Sequence, residues 1–212
     1  MYMAQLKNII FDLGGVLLNI DYQKTKLSFE ELGFNEFDKM YSQYSADMLF
    51  SELETGKVSN ENFLDYLVKA GDGKITSQQI TRAWNAMLLD FRLASLDFLE
   101  GLSRKYKLYL LSNTNAIHLQ AFNEIFKKET GKPSLDAYFT KAYYSNDIGY
   151  RKPNEDIFEF VLKDAGIIAG ETLFIDDSYN NIETAKKMGF ETHLLLAGEK
   201  IEDLNYERNT QS

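Results

Sequence analysis

Asn8-Ile-Ile-Phe-Asp-Leu-Gly-Gly-Val-Leu17 is the stretch from which the rest of this chain is read. A short apolar run meets an acid and then paired glycines, the pattern of a buried strand that ends in a tight turn. The strand is expected over Asn8–Phe11, which places Asp12 just beyond its carboxyl end. Downstream of Phe91 the pattern returns. It predicts strands at Leu108–Leu111, near Ala142–Tyr144, at Leu173–Ile175 and at Thr192–Leu196. Between them fall helices near Leu93–Lys105, near Asn115–Phe126, over Pro153–Ala165, and up to Met188. Pro153 just inside one helix, with Gly166 and Gly189 just past two others, supplies the expected start and stop residues. Strands and helices alternating at these lengths predict an α/β fold, a parallel sheet covered on both faces.

From about Asn19 to Phe91 the apolar period becomes helical. One stripe carries Phe37, Met40, Tyr41, Tyr44 and Met48, a second Phe63, Tyr66, Leu67 and Ala70, and a third Ile80, Ala83, Trp84, Met87 and Leu88. With a further helix over Tyr22–Leu32, this predicts a small helical bundle inserted after the first strand. The expected division is residues 1–18 and 92–212 for the sheet-bearing core and 19–91 for the insert. The aromatic stripes read as bundle core, and the polar tail from Glu199 to Ser212 is expected to fray.

Composition narrows the function classes. The 212 residues carry 44% hydrophobic side chains and 23 basic against 32 acidic groups, a net charge of −9. That is enough apolar material for a packed core, and the wrong sign for a nucleic-acid or anionic-membrane partner. No apolar run of about 18 residues or cleavable leader is found, and with no cysteine the expected location is the cytoplasm. His118 and His193 fit no paired-ligand spacing and read as surface or strand-edge residues. No feature selects an oligomeric state.

In an open parallel sheet, ligands bind beyond the carboxyl ends of the strands. The expected strands deliver Asp12, then Ser112 and Asn113, then Ser145 and Asn146 with Lys152 shortly after, then Asp176 and Asp177. Two carboxylates about 4 Å apart repel by roughly 4 kcal/mol at an effective dielectric of about 20, so the three acids need compensation. Their −3 is balanced by Lys152 and one divalent cation. An all-oxygen donor set favours a hard ion, hence Mg²⁺. A site so neutralised admits a phosphate, with Ser112, Lys152 and the turn amides around Leu13 and Gly14 as donors.

Four segments, Phe11-Asp-Leu-Gly-Gly-Val-Leu17, Leu110-Leu-Ser-Asn113, Arg151-Lys-Pro153 and Phe174-Ile-Asp-Asp-Ser178, resemble the ordered motifs of the haloacid dehalogenase-like hydrolase superfamily. The helical insert sits where that superfamily's C1 cap sits. The resemblance implies a Rossmann-like core and a Mg²⁺-dependent phosphatase acting on a small phosphorylated metabolite through an aspartyl-phosphate. It implies Asp12 as nucleophile, and Ser112, Asn113 and Lys152 with the Leu13 and Gly14 turn around the phosphate. The implied metal ligands are Asp12, Asp177, Asp176 and the Gly14 carbonyl, with Asn113 and Asn181 supporting them.

The chain departs from the family at Gly14, where phosphatases usually carry an aspartate that protonates the leaving group and later activates water. Such a group is worth roughly 10² to 10⁴ in rate. Leaving groups that need little protonation, such as anomeric sugar phosphates or acyl phosphates, are therefore expected, unless a cap residue replaces the acid. The Asp-Leu-Gly opening and the segment Leu53-Glu-Thr-Gly-Lys-Val-Ser59 are similar to bacterial α-glucose-1-phosphate phosphatases, which makes a sugar 1-phosphate the leading substrate. Asp21, Trp84 and Asn85 are expected near the cleft. Two other functions compete. A 2-haloacid dehalogenase would use the same nucleophile without a metal, which the Asp176–Asp177 pair argues against; the other is a non-catalytic phosphate-binding regulator. Response-regulator receivers place their acid pair first in the chain, and here it comes last.

Overall fold

The computed structural model describes residues 5–41 and 46–206. In chain order the elements are β1 Asn8–Phe11, β2 Leu18–Ile20, α1 Tyr22–Glu31, α2 Phe37–Met40, α3 Met48–Glu54, α4 Asn60–Ala70, α5 Ser77–Asn85 and β3 Leu88–Phe91. There follow α6 Leu93–Leu102, β4 Lys107–Ser112, α7 Ala116–Thr130, β5 Lys141–Tyr144, α8 Ser145–Ile148, α9 Glu155–Ala165, β6 Thr172–Asp176, α10 Tyr179–Lys187 and β7 Glu191–Leu194.

Five strands form one sheet in the order β5-β4-β1-β6-β7, every pair parallel. β1 is central and fully buried because its residues face helices on both sides. Ile9 and Phe11 pack with Leu99, Leu110, Phe122 and Phe126, under α6 and α7. Ile10 points the other way, into Tyr109, Phe158, Phe174 and Ile182, under α9 and α10. This is the α/β layering that the alternating pattern predicts. Among the described residues no helix is long and apolar enough to cross a membrane.

Helices α1 to α5 surround a third cluster centred on Trp84. Phe50 and Phe63 lie 5.1 and 6.1 Å from it, Tyr41 meets it edge-on at 4.6 Å, and Phe29 stacks on Phe37 at 4.1 Å. The caps follow from local sequence: Asp47 and Ser59 accept amide N–H groups at the starts of α3 and α4, and Thr76 with Gln79 closes a capping box on α5.

Several expectations are corrected. The first aromatic stripe is not one helix, because α2 ends at Met40 and Tyr41 is extended. Tyr44 lies outside the described residues. Met48 and Tyr66, expected in the core, are exposed. The third stripe ends as a helix at Asn85, and Leu88–Phe91 pairs antiparallel with Leu18–Ile20. In that ribbon Leu18–Ile20 crosses the expected boundary after residue 18 and Leu88–Phe91 stops at the one after residue 91; the partners lie some 70 residues apart, beyond any local period. His118 is not a surface residue: α7 buries it, stacked on Trp84 at 4.5 Å, with Nε2 3.0 Å from the Trp84 carbonyl. His193 lies on β7 as expected. The tail does not fray up to residue 206, because Ile201 and Tyr206 are buried and the Tyr206 hydroxyl donates to the Ile201 carbonyl at 2.8 Å. Residues 207–212 lie outside the described part.

Candidate active site

Strands β1, β4 and β6 lie side by side and end at one edge, so the sheet itself gathers the polar residues that follow them. Asp12 follows β1, Ser112 ends β4, and Asp176 ends β6 with Asp177 next. Carboxylate oxygens of Asp12, Asp176 and Asp177 lie within 4.8 Å of one another. Lys152, buried to 1% exposure, enters from the loop between α8 and α9. Its ammonium donates to Asp12 Oδ1 at 2.7 Å, Asp176 Oδ2 at 2.7 Å and the Leu111 carbonyl at 2.8 Å. All three of its protons are thereby used.

Supporting residues fix this arrangement. Asn113 Nδ2 donates to the Lys152 carbonyl at 2.8 Å, and the Lys152 amide donates to Asn113 Oδ1 at 2.9 Å. The Asn113 side chain thus holds the Lys152 backbone, and Asn113 also lines the cleft. Asn181 Nδ2 donates to both oxygens of Asp176 at 3.0 Å, and the Ser178 amide adds a bond to Oδ1 at 2.8 Å. Leu13, Gly14 and Ser112 line the same cleft. Ser145, also read as a strand-end polar residue, instead ties Thr114 through its hydroxyl, accepting from the amide and donating to the carbonyl at 2.9 Å each. Gly15 sits at φ +71°, and a Cβ there would overlap the Asp177 carboxylate, so only glycine allows this approach.

The electrostatics bear on what the cleft can hold. Burial pushes the Asp12 carboxyl up to about 7; Lys152 opposes this, while Asp176 and Asp177 add to it. Burial, then Asp176, push Asp177 up to about 6, against Lys152. Three carboxylates and one ammonium leave a formal charge of −2, and every acidic donor is oxygen. That donor set fits one hard divalent cation.

The opposite wall is built by the inserted helices and by groups that the sequence reading assigned no role. Tyr22 opens α1, Tyr41 follows α2 and Glu54 ends α3, and all three line the cleft with Arg151 and His118. The Tyr41 hydroxyl donates to Glu54 Oε1 at 2.9 Å, and Arg151 Nη2 lies 2.8 Å from Glu54 Oε2. Burial, reinforced by nearby carboxylates, raises the Tyr22 and Tyr41 phenols well above their ordinary value. Burial lowers His118 to about 4, so it is neutral at pH 7. Glu54 and Arg151 lie inside segments quoted for the resemblance, which is the signal that could have found them. Of the residues expected near the cleft, Asp21 lies between the lining residues Ile20 and Tyr22 and Trp84 stacks on the lining His118, although none of the three is itself among the lining. Asp21 caps α1, Trp84 is buried in the aromatic cluster, and Asn85 closes α5.

Relatives share both the sequence and the shape. The chain is 39% identical over 188 residues to a D-ribitol-5-phosphate phosphatase of Bacteroides thetaiotaomicron, covering 88% of this chain and 90% of that one. A crystal structure of a HAD family enzyme from the same organism, in complex with magnesium and inorganic phosphate, superposes with a TM-score of 0.85 at 35% identity, over 92% of this chain and 96% of its own. A predicted HAD-like family hydrolase from Porphyromonas gingivalis gives 0.83 at 35% identity, over 92% and 94%. The family model for haloacid dehalogenase-like hydrolases matches residues 6–189, and the chain belongs to that family.

Proposed function

We propose that this chain is a magnesium-dependent phosphatase that hydrolyses a small phosphorylated metabolite by way of an aspartyl-phosphate. The observation that carries the reading is the Asp12–Asp176–Asp177 cluster gripped by Lys152, with a residual −2 that a hard divalent ion offsets. A bound Mg²⁺ would neutralise charge on the carboxylates and on the phosphoryl oxygens, held by Asp12, Asp177, Asp176 and the Gly14 carbonyl. The relative crystallised with magnesium and phosphate supports that choice of ion.

The chain's own residues then divide the work. Lys152 holds Asp12 Oδ1, which presents Oδ2 to phosphorus for in-line attack. The Ser112 hydroxyl and the Leu13 and Gly14 turn amides bind phosphoryl oxygens. Asn113 and Asn181 keep Lys152 and Asp176 in place. The proposed bundle formed by α1 to α5 acts as the cap, and its Tyr22, Tyr41 and Glu54 face the organic part of the substrate.

Two substrate classes have support. The D-ribitol-5-phosphate phosphatase supports an alditol phosphate, whose leaving group is a primary alcohol. Gly14, which brings no acid to the leaving group, supports a sugar 1-phosphate. The test is phosphate release from a panel of alditol, sugar, nucleotide and acyl phosphates, with Mg²⁺ and with EDTA. Release is expected with Mg²⁺ alone and is expected to vanish in Asp12→Asn. Activity retained in that variant would overturn the nucleophile. Halide release from a 2-haloacid in EDTA would return the chain to dehalogenation.

A further inference from the structure

We propose that Glu54 is the catalytic acid and base of this cleft, a role resting on the phosphatase reading above. Transfer of a phosphoryl group from a primary alcohol requires a proton for the departing oxygen, delivered opposite the nucleophile. That side of the cleft is lined by the inserted helices. The proton-bearing side chains found there are Tyr22, Tyr41, Glu54 and His118, with Arg151 beside them. The Arg151 guanidinium offers donors and no acceptor, so it cannot take up a proton from water. Burial and the neighbouring acids make the two phenols hold theirs, and the Tyr41 hydroxyl is already spent on Glu54 Oε1. His118 is neutral, with Nε2 engaged by the Trp84 carbonyl.

Glu54 has the geometry the others lack. It is the last residue of α3, 3% exposed, and held from two sides. Oε1 accepts from Tyr41 and Oε2 lies 2.8 Å from Arg151 Nη2, and each carboxylate oxygen keeps a second lone pair on which a proton can sit. The turn that follows is pressed onto the sheet-bearing part of the molecule. Gly56 sits at φ +65°, where a Cβ would overlap the Asn146 carbonyl, so the end of α3 is located by backbone contact. Burial raises the Glu54 carboxyl above the ordinary carboxylate value, against Arg151 and the Tyr41 hydroxyl, which hold it down.

The steps balance. Asp12 Oδ2 forms a bond to phosphorus as the bridging P–O bond breaks, and the Glu54 proton passes to the departing alkoxide, releasing an alcohol. Water then takes the position the alcohol left. Glu54, now a carboxylate, accepts the water proton as the oxygen attacks phosphorus, the Asp12–phosphorus bond breaks, and inorganic phosphate leaves with both residues restored.

The experiment compares wild type, Glu54→Gln and Arg151→Met, with Mg²⁺, on D-ribitol 5-phosphate and on p-nitrophenyl phosphate, whose leaving group needs no proton. In Glu54→Gln, turnover of the alditol ester is expected to fall by about 100-fold or more. The same variant should release p-nitrophenolate in a fast burst near the wild-type single-turnover rate and then stall, with phosphorylated protein accumulating on intact-mass measurement. Arg151→Met should not separate the two substrates in this way. Equal losses in the burst and in alditol turnover, or the same split in Arg151→Met, would make Glu54 a structural partner and overturn the assignment. Full alditol turnover by Glu54→Gln would do the same. A wild type that releases phosphate from neither ester would instead overturn the phosphatase reading, and the Glu54 role with it.

Discussion

Replacing Lys152 by methionine removes the cation that two buried acids, Asp12 and Asp176, share with the Leu111 carbonyl. At 2.7 Å and an effective dielectric of about 20, each of its two carboxylate contacts carries about 6 kcal/mol of gross Coulomb energy. Much of that offsets the desolvation of a side chain buried to 1% exposure. Breaking such a buried pair from one side costs a net of about 3–5 kcal/mol, since the carboxylates stay behind uncompensated. For a chain of this size the loss corresponds to a fall in Tm of roughly 6–20 °C. The stranded carboxyls can escape by binding protons, so the loss should be largest at pH 8 and smaller at pH 5. Thermal and urea unfolding of wild type and Lys152→Met at both pH values, without divalent ions, measures it. A variant as stable as wild type at pH 8, or a loss that does not change with pH, would refute the account of Lys152 as the buried counter-charge.

Three further outcomes follow from the same geometry. The metal-free wild type should lose stability as pH rises from about 4 to 7, because Asp12 and Asp177 bind protons more tightly folded than unfolded; folding is favoured below the unfolded value of 3.8 and that contribution is lost through the folded values of about 6 and 7. The rise in Tm on adding Mg²⁺ should therefore grow over that range, and a pH-independent Mg²⁺ effect would count against the carboxyl cluster. Gly15→Ala should lower Tm by several degrees and weaken Mg²⁺ binding in calorimetry, since the residue sits at φ +71° against Asp177; unchanged binding would contradict the close approach. Gly14→Asp, combined with Ile20→Val because a Cβ at position 14 would lie 2.6 Å from Ile20 Cδ1, should raise turnover of alkyl phosphates by about tenfold and partly restore Glu54→Gln; no gain on any alkyl ester would remove the argument from the missing acid.

The sheet was legible because its signals are local. Each buried strand is a short apolar run, and the polar residue after it marks the edge where ligands gather; Asp12, Ser112 and Asp176 follow that rule without help from tertiary structure. Lys152 was legible only as a residue near a strand end, since its burial depends on Asn113, which lies 39 residues away. The inserted helices were harder to read. Their apolar period is interrupted at Tyr41, which leaves the helix to bond Glu54, and at Leu88, which leaves it to pair with β2. Both departures serve contacts between distant segments, which no window of sequence contains. The wall opposite Asp12 was missed for that reason: Glu54 is a helix end in sequence and becomes a cleft residue only when α3 meets the loop carrying Arg151.

The stack of Trp84 on His118 has a practical corollary. The chain has a single tryptophan, and its indole lies against a ring on α7, the helix that begins just after Ser112 and Asn113. Any rearrangement that lifts the helical bundle away from α7 must slide or part those two rings. Intrinsic fluorescence therefore reads the seating of one part of the molecule on the other with no label attached, and ligand titrations followed at the emission maximum would track it directly.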